Sequence, residues 1–369
     1  MEFLPTTLGT RPRLAVEVRS EGVVAARAEN AAAVLTSVAR AAVAEGAVTP
    51  GLKVGNIVDR AGVVAAVRTA LDEVAGKGSE RVTGRDVTVV VPDAAVRVLL
   101  LDFDQLPSKI MEALPVVRFR LKKLLPFDAD AAAVSYQILA SERGSVQVLA
   151  VAIPKDVLEE YEGVVTAAGY LPGAVLPSTL AALAGLDAAE APALVVNAGL
   201  GGVTTAIVKG GILLLHRALD LSANGDDAVA MEAVAMVVEG RASSEGWAGQ
   251  EPGGYDRLDA EAAIQTSVVE TAERRELADV AATESAAREV AQAVSVAAAY
   301  FEDTLRILPE RLLAAGPMGA ESLAAMMELH GLEGLRVQEI VDAAMIEAGA
   351  VSASVPRGWL AGVRGALKN

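Results

Sequence analysis

Ala193-Leu-Val-Val-Asn-Ala-Gly-Leu-Gly-Gly-Val-Thr-Thr-Ala-Ile-Val208, followed by Lys209-Gly-Gly211 and Ile212-Leu-Leu-Leu-His-Arg217, is the stretch on which the fold turns. It reads as strand, glycine loop, strand, Gly-Gly turn and strand. Val195 and Val196 are residue types of buried strands. Gly199, Gly201 and Gly202 let the backbone turn sharply and approach a ligand that a Cβ would exclude. Thr204, Thr205, Ile207 and Val208 resume β character, and Gly210-Gly211 suits a tight hairpin. Successive backbone N–H groups in such a loop can form a nest for an anion such as phosphate. Taken alone, the stretch also reads as a plain hairpin with a glycine-rich turn, so the rest of the chain has to decide.

At 369 residues the chain suits two or three domains with a large core. It has no cysteine and only two histidines, His216 and His330, which excludes disulfides and argues against a metal or Ser-His-Asp centre. The formal net charge of −16, from 32 basic and 48 acidic side chains, argues against a nucleic-acid binder. No uncharged apolar run reaches the roughly 18 residues that cross a bilayer. Met1-Glu-Phe-Leu-Pro-Thr-Thr7 lacks the basic and apolar regions of a signal peptide. The expectation is a soluble cytoplasmic protein without a transmembrane segment.

Upstream, Leu14–Val18 and Val23–Arg27 read as a hairpin around Arg19-Ser-Glu-Gly22. Asn30 to Ala44 has helical composition, alanine-rich and weakly patterned. A short strand is expected at 55–58. Val63, Val64, Val67, Leu71 and Val74 repeat at helical spacing, with Asp59 as the N-cap. Strands follow at Val87–Val91, ending in Pro92-Asp93, and at Val96–Leu101. Ile110, Leu114, Val117, Leu121 and Leu124 form an apolar stripe on a helix that Pro115 should kink. Arg118, Arg120, Lys122 and Lys123 make this the densest basic cluster of an acidic chain, readable as a solvated helix face or as a binding site. Strands at Val134–Leu139 and Val146–Ile153 precede a helix from Lys155 to Ala168 closed by Gly169, then Val175-Leu-Pro-Ser178 and a helix over 179–185. Beyond the glycine stretch, Ala228–Val238 looks helical and Ser243–Tyr255 loop-like. A helix is expected over 284–305, a strand at Arg311–Ala315, a helix over 321–329, a strand at 335–337 and a closing helix near 359–367. Strands followed by helices occur twice, each time opening on a hairpin whose turn could touch phosphate. Two α/β lobes with a ligand between them follow naturally.

From about Leu14 to Gln338 the chain resembles the actin-like ATPase superfamily, and within it the type IV pilus assembly PilM family. The resemblance rests on Pro50-Gly51 with Asn56-Ile-Val58, on Val87–Pro92, and above all on Leu125-Pro126-Phe127 followed by Val134-Ser-Tyr136. Ala168-Gly169-Tyr170 and the Ser178–Leu183 helix continue it. Asn197-Ala-Gly199 with Thr204-Thr205 corresponds to the second phosphate motif, and Leu313-Ala-Ala-Gly-Pro-Met-Gly319 to the adenosine motif. The resemblance implies an actin-like α/β fold: first lobe 14–84, inserted small subdomain 85–158, return to the first lobe over 159–192, second lobe 193–345 and a tail with closing helix over 346–369. ATP and Mg²⁺ are the implied ligands. If the site is retained, its residues are Glu17, Arg19, Asn197, Gly199, Gly201, Gly202, Thr204, Thr205, Gly316, Met318 and Gly319.

The motifs depart from the family at each phosphate contact. Glu17 and Arg19 stand where the family has Asp-x-Gly, Asn197 where it has aspartate, and Pro317 where it has glycine. Arginine crowds the phosphates or else pairs with them through its guanidinium fork. Asparagine has no carboxylate for Mg²⁺. The resemblance therefore implies a cytoplasmic scaffold of the pilus inner-membrane platform. It would bind the N-terminal cytoplasmic tail of a PilN-like bitopic membrane protein and be held at the inner membrane through partners. The expected partner site is Arg118, Phe119, Lys122 and Phe127 in the inserted subdomain. The alternatives are an active actin-like Mg-ATPase, a relative of the type II secretion L-protein's cytoplasmic domain, and a kinase-like transferase. For the last, no acid or base stands out near a substrate hydroxyl.

Overall fold

The computed structural model describes residues 12–76, 84–187, 191–221, 284–332, 334–350 and 355–368. The helix expected over Ala228–Val238, the loop over Ser243–Tyr255 and the segment Met1–Thr7 lie outside the described residues. The chain divides into two units, Met1–Ser222 with Val290–Asn369, and Ala223–Glu289. In the second unit residues 284–289 are described and helical. The first unit carries the sheets.

Two five-stranded sheets of identical plan organise it. In the first, β1 (Leu14–Arg19) pairs antiparallel with β2 (Gly22–Ala28), and β2 with β3 (Leu35–Ala41). On its other side β1 runs parallel to β4 (Asp86–Val91), and β4 to β8 (Leu171–Pro177). The second sheet repeats this. β9 (Ala193–Gly199), β10 (Gly202–Lys209) and β11 (Ile212–Asp220) are antiparallel, while β12 (Arg311–Ala315) and β13 (Arg336–Glu339) continue in parallel from β9. A third sheet holds β5 (Arg97–Phe103), β7 (Ser145–Pro154) and β6 (Ala132–Glu142), in that order.

Strand alternation decides which side chains meet. Leu14, Val16 and Val18 of β1 pack with α1 (Arg60–Ala75) and α3 (Lys155–Ala167) on the outer face. Ala15 packs on the inner face with α4 (Ser178–Ala184) and α7 (Ala361–Leu367), so Glu17 and Arg19 follow it inward. β9 repeats the device. Leu194, Val196 and Ala198 face the helical stretch 290–305 (α5) and α6 (Gly319–Leu329), while Val195, and with it Asn197, face inward. α4 and α7 thus share one core with the inner faces of both sheets. The duplicated plan brings β1 and β9 together at their C-terminal ends, where open α/β sheets place their ligands.

Several expectations are corrected. The helix expected over Asn30–Ala44 is the strand β3, because the open edge of β2 supplies backbone partners that outweigh alanine's helical preference. The inserted unit expected from 85 begins later, since β4 belongs to the first sheet and the separate sheet starts at Arg97. α2 (Ile110–Leu121) contains Pro115 as expected, yet only the middle of its stripe is covered. Ala113, Val117 and Leu121 are buried on the third sheet, whereas Ile110 and Leu124 are 65% and 47% exposed. Ile110 is the first residue of the helix and Leu124 lies past its last, beyond the sheet's support. The cap on α1 is as expected: the Asp59 carboxylate accepts from the Gly62 N–H at 3.0 Å.

Candidate functional site

At the inner ends of β1 and β9 lies a buried polar network that alternation assembles from distant segments. Arg19 extends its guanidinium across the cleft. Its Nε donates to Glu17 Oε1 at 2.7 Å, and its Nη2 donates to Ser178 Oγ at 2.6 Å and to Asn197 Oδ1 at 3.2 Å. Ser178, the first residue of α4, donates to the same Glu17 oxygen at 2.6 Å. Asn197 is the counterpart from the second lobe. Its Nδ2 donates to Ser178 Oγ at 2.9 Å, to Thr179 Oγ1 at 3.0 Å and to Asp93 Oδ2 at 3.4 Å. Asp93, in the short turn after β4, accepts the Thr179 N–H at 3.1 Å and also its hydroxyl. Glu17, Arg19, Asp93, Ser178, Thr179 and Asn197 are all buried.

The charge balance is local. Glu17 is fully buried, and burial pushes its carboxyl above the ordinary glutamate range against the pull of Arg19 and Ser178. Its second oxygen, Oε2, has no partner among the described residues and faces α7. A Cβ at Gly362 would come within 2.4 Å of it, so this position of α7 has to be small.

The two hairpin turns also meet. The Glu21 carboxylate accepts the Leu200 N–H at 2.5 Å, and Ser20 Oγ would stand 3.2 Å from a Cβ at Gly201. A Cβ at Gly199 would lie 2.4 Å from Glu21 Oε1, so a larger residue there would displace that carboxylate. The adenosine-like segment closes the floor. Gly316, with φ +86°, has room for no side chain: its Cβ would meet Asn197 Oδ1 at 2.4 Å. Its N–H donates to Gly358 O at 2.8 Å, and the Met318 N–H donates to Ala198 O at 3.1 Å. Gly319 has φ +71° and opens α6, whose Ala320 N–H is capped by Glu339 Oε1 at 2.9 Å.

The chain matches no family model and no curated protein. Among solved structures it is similar to the PilM-PilN type IV pilus biogenesis complex, at 17% identity and a TM-score of 0.65, covering 96% of this chain and 98% of that one. The fold is that of the actin-like ATPases. A looser likeness is to the cytoplasmic domain of EpsL, an inner membrane component of the type II secretion system of Vibrio cholerae. It is 14% identical with a TM-score of 0.37, covering 56% of this chain and 71% of that one. Another is to the ethanolamine utilization protein EutJ from Carboxydothermus hydrogenoformans, 13% identical with a TM-score of 0.38, covering 97% of this chain and 89% of that one.

Within this actin-like fold the residues do not fit Mg-ATP. Glu17 and Asn197 are both engaged by the Arg19 guanidinium, and the Asp93 carboxylate is held by the Thr179 N–H and hydroxyl. The Leu200 N–H of the glycine loop is already held by a carboxylate. Among the described residues no group of three or more His, Asp or Glu side chains could hold a metal ion.

The expected site residues therefore divide. Glu17, Arg19, Asn197, Gly199, Gly201, Gly316, Met318 and Gly319 converge on the cleft. At Gly202 a Cβ would meet Leu219 O at 2.8 Å, which is a demand of β-pairing. Thr204 faces inward with Ala206, but Thr205 alternates with Val203 and Ile207 toward the outer core, and its buried hydroxyl has no partner among the described residues. Sequence reasoning missed Glu21, Asp93, Ser178 and Thr179 as site residues. Pro92-Asp93 and Pro177-Ser178 each close a strand, and nothing in either pair signals that the two turns meet.

The residues expected to bind a partner lie on α2 and in the segment after it, beside the third sheet. Arg118 is spent on structure: Nη1 donates to the backbone carbonyls of Ala129 and Ala132. Lys122 pairs with Asp130 at 2.5 Å on the surface. Phe119 is 66% exposed beneath the Lys123 ammonium, and Phe127 is half-buried against α2. Elsewhere, a groove of about 250 Å³ runs between the first and third sheets, lined by Val91, Val134, Val151, Ile153 and Leu158 with Glu162. No described helix is long and apolar enough to cross a membrane.

Proposed function

We propose that this protein is a PilM-like scaffold of a pilus assembly platform, holding the N-terminal tail of a PilN-like membrane protein without using nucleotide. The groove between the first and third sheets carries the reading. It is mainly apolar, and it is shared by the body of the first lobe, through Val91 and Leu158, and by the third sheet, through Val134 and Val151. β6 and β8, the end strands of their sheets, both line it. A short extended apolar segment would fill such a site with side chains and add hydrogen bonds at a strand edge. The Mg-ATPase reading needs carboxylates that the chain does not offer to a metal.

A second surface competes for the same tail. Phe119 and Lys122 on α2 are exposed, while Val148, Ala150 and Ala152 of β7 pack toward α2. Val151 and Ile153 alternate to the groove, so the two surfaces lie on opposite faces of the third sheet. The test is titration of a synthetic N-terminal tail of a PilN-like single-span protein into three versions of the chain. Ser135→Glu, at an exposed position of the groove, is expected to abolish binding at unchanged melting temperature, while Phe119→Ala with Lys122→Glu binds as wild type does. The reverse pattern puts the tail on α2, and no binding by the wild type refutes the scaffold reading.

A further inference from the structure

Three of the cleft's polar groups are already engaged within the chain, namely the Leu200 N–H, Glu17 Oε1 and Asn197 Oδ1. An anion docking on the glycine loop would need the Leu200 N–H, which the Glu21 carboxylate holds. A cation between the lobes would need oxygen from Glu17 and from residue 197. Glu17 Oε1 and Asn197 Oδ1 instead receive the guanidinium of Arg19, while Glu17 Oε2 is turned toward α7. Both replacements come from the first hairpin and land on the second lobe, one on Asn197 and one on the loop between Gly199 and Gly201. We propose that the cleft is closed by ligands of its own, Arg19 in the place of a cation and Glu21 in the place of an anion, latching the two lobes independently of nucleotide.

Asparagine at position 197 is what makes the latch work. Its side-chain oxygen accepts from Arg19 while its nitrogen donates to Ser178, Thr179 and Asp93, all on the first-lobe side of the cleft. An aspartate could take the guanidinium but would have no proton for the other three, and would face the Asp93 carboxylate. A bound ligand bridges two lobes only while its concentration exceeds its dissociation constant. Side chains of the same chain hold them at every concentration. A scaffold that must keep one shape gains from this, because nothing in solution shifts its population. Added polyphosphate would also meet the Glu21 carboxylate directly, and that repulsion keeps the loop closed to it.

The sequence contains no cysteine, so a pair of engineered thiols reports on the lobes without background. Thr69 on α1 and Ala325 on α6 are exposed, one in each lobe. With spin labels on Thr69→Cys and Ala325→Cys, pulsed electron resonance should give one narrow distance distribution that millimolar Mg-ATP leaves unchanged. Adding Glu21→Ala and Asn197→Ala should broaden or shift it. A distribution that moves with Mg-ATP in the otherwise wild-type protein overturns the proposal, as does one that survives loss of the latch. Should the combined variant fail to fold, Glu21→Ala alone, on an exposed turn, is read by amide exchange at Leu200. Exchange about tenfold faster or more is expected for loss of a hydrogen bond to a charged group. Unchanged exchange refutes the Glu21 half. Neither outcome bears on tail binding, because the groove and the latch share no residue.

Discussion

Gly365 of α7 lies directly on the Ala181 carbonyl of α4: a Cβ built at Gly365 would stand 1.7 Å from that oxygen. The two helices that fill the space between the sheets therefore touch backbone to backbone. Gly365→Ala must push them apart, and overpacking of a filled core costs about 1–3 kcal/mol, or more where backbone has to move. Chemical denaturation should find a loss at or above the top of that range. Gly51→Ala, where a Cβ meets no atom within 4 Å, should change stability by no more than about 0.5 kcal/mol. Equal effects at the two sites would mean that α4 and α7 are not packed this closely.

Replacing Arg19→Gly together with Asn197→Asp should turn the latch into a cation site that is unstable when empty. Glu17, Asp93 and the introduced carboxylate would surround the space left by the guanidinium, and like charges at short range repel. Removing one partner of a buried ion pair alone costs about 3–5 kcal/mol. The variant should melt well below wild type, and Mg-ATP should raise its melting temperature while leaving that of wild type unmoved. Calorimetric binding of Mg-ATP to wild type at micromolar concentration would contradict the network as described.

Glu17 gives a pH dependence whose sign is unusual for a carboxylate with a cationic neighbour. Its folded pKa lies above the ordinary value of 4.5 because burial outweighs Arg19. Over the window from that value upward, the folded state keeps a proton the unfolded state has released, so stability falls as pH rises. The contribution is fully present below the unfolded pKa and is lost as pH passes the folded one. Glu17→Gln removes the titration. The stability of wild type relative to this variant should therefore decline from about pH 4.5 upward, by at most about 1.4 kcal/mol per pH unit. A relative rise would show that the ion pair, not burial, sets this carboxyl.

Charge reversal on α2 should separate a structural arginine from a surface lysine. Arg118 donates to two backbone carbonyls; Ala129 O also accepts the Ala132 N–H, so Arg118→Glu mainly costs Ala132 O its donor, at about 1–3 kcal/mol. Lys122 pairs with Asp130 in solvent, where such pairs are worth about 0–1 kcal/mol. Thermal melting should drop for the first and stay near wild type for Lys122→Glu. A fall of similar size in both would mean that the Lys122 pair is structural too.

The elements themselves were largely legible. Gly199, Gly201 and Gly202 with the β-formers around them marked β9, β10 and β11, and Asp59 with Val63, Val67 and Leu71 marked α1. These signals are local, carried by backbone freedom, capping and periodicity within one segment. Alternation along Leu14–Arg19 even determined that Glu17 and Arg19 share a face. Two things were settled only by the tertiary structure. β3 is a strand because the β2 edge was there to pair with it, a partner that no window around Leu35 contains. Arg19 read as an obstacle to phosphate or a partner for it, and neither Asp93 nor Ser178 read as its neighbour. The hydrogen bond from Arg19 to Ser178, 159 positions on, needs β8 beside β4 in the first sheet, and the one to Asn197, 178 positions on, exists only once the two sheets face one another. The sequence by itself determined the two hairpins; their meeting, and therefore the chemistry of the cleft, came from packing α4 and α7 between them.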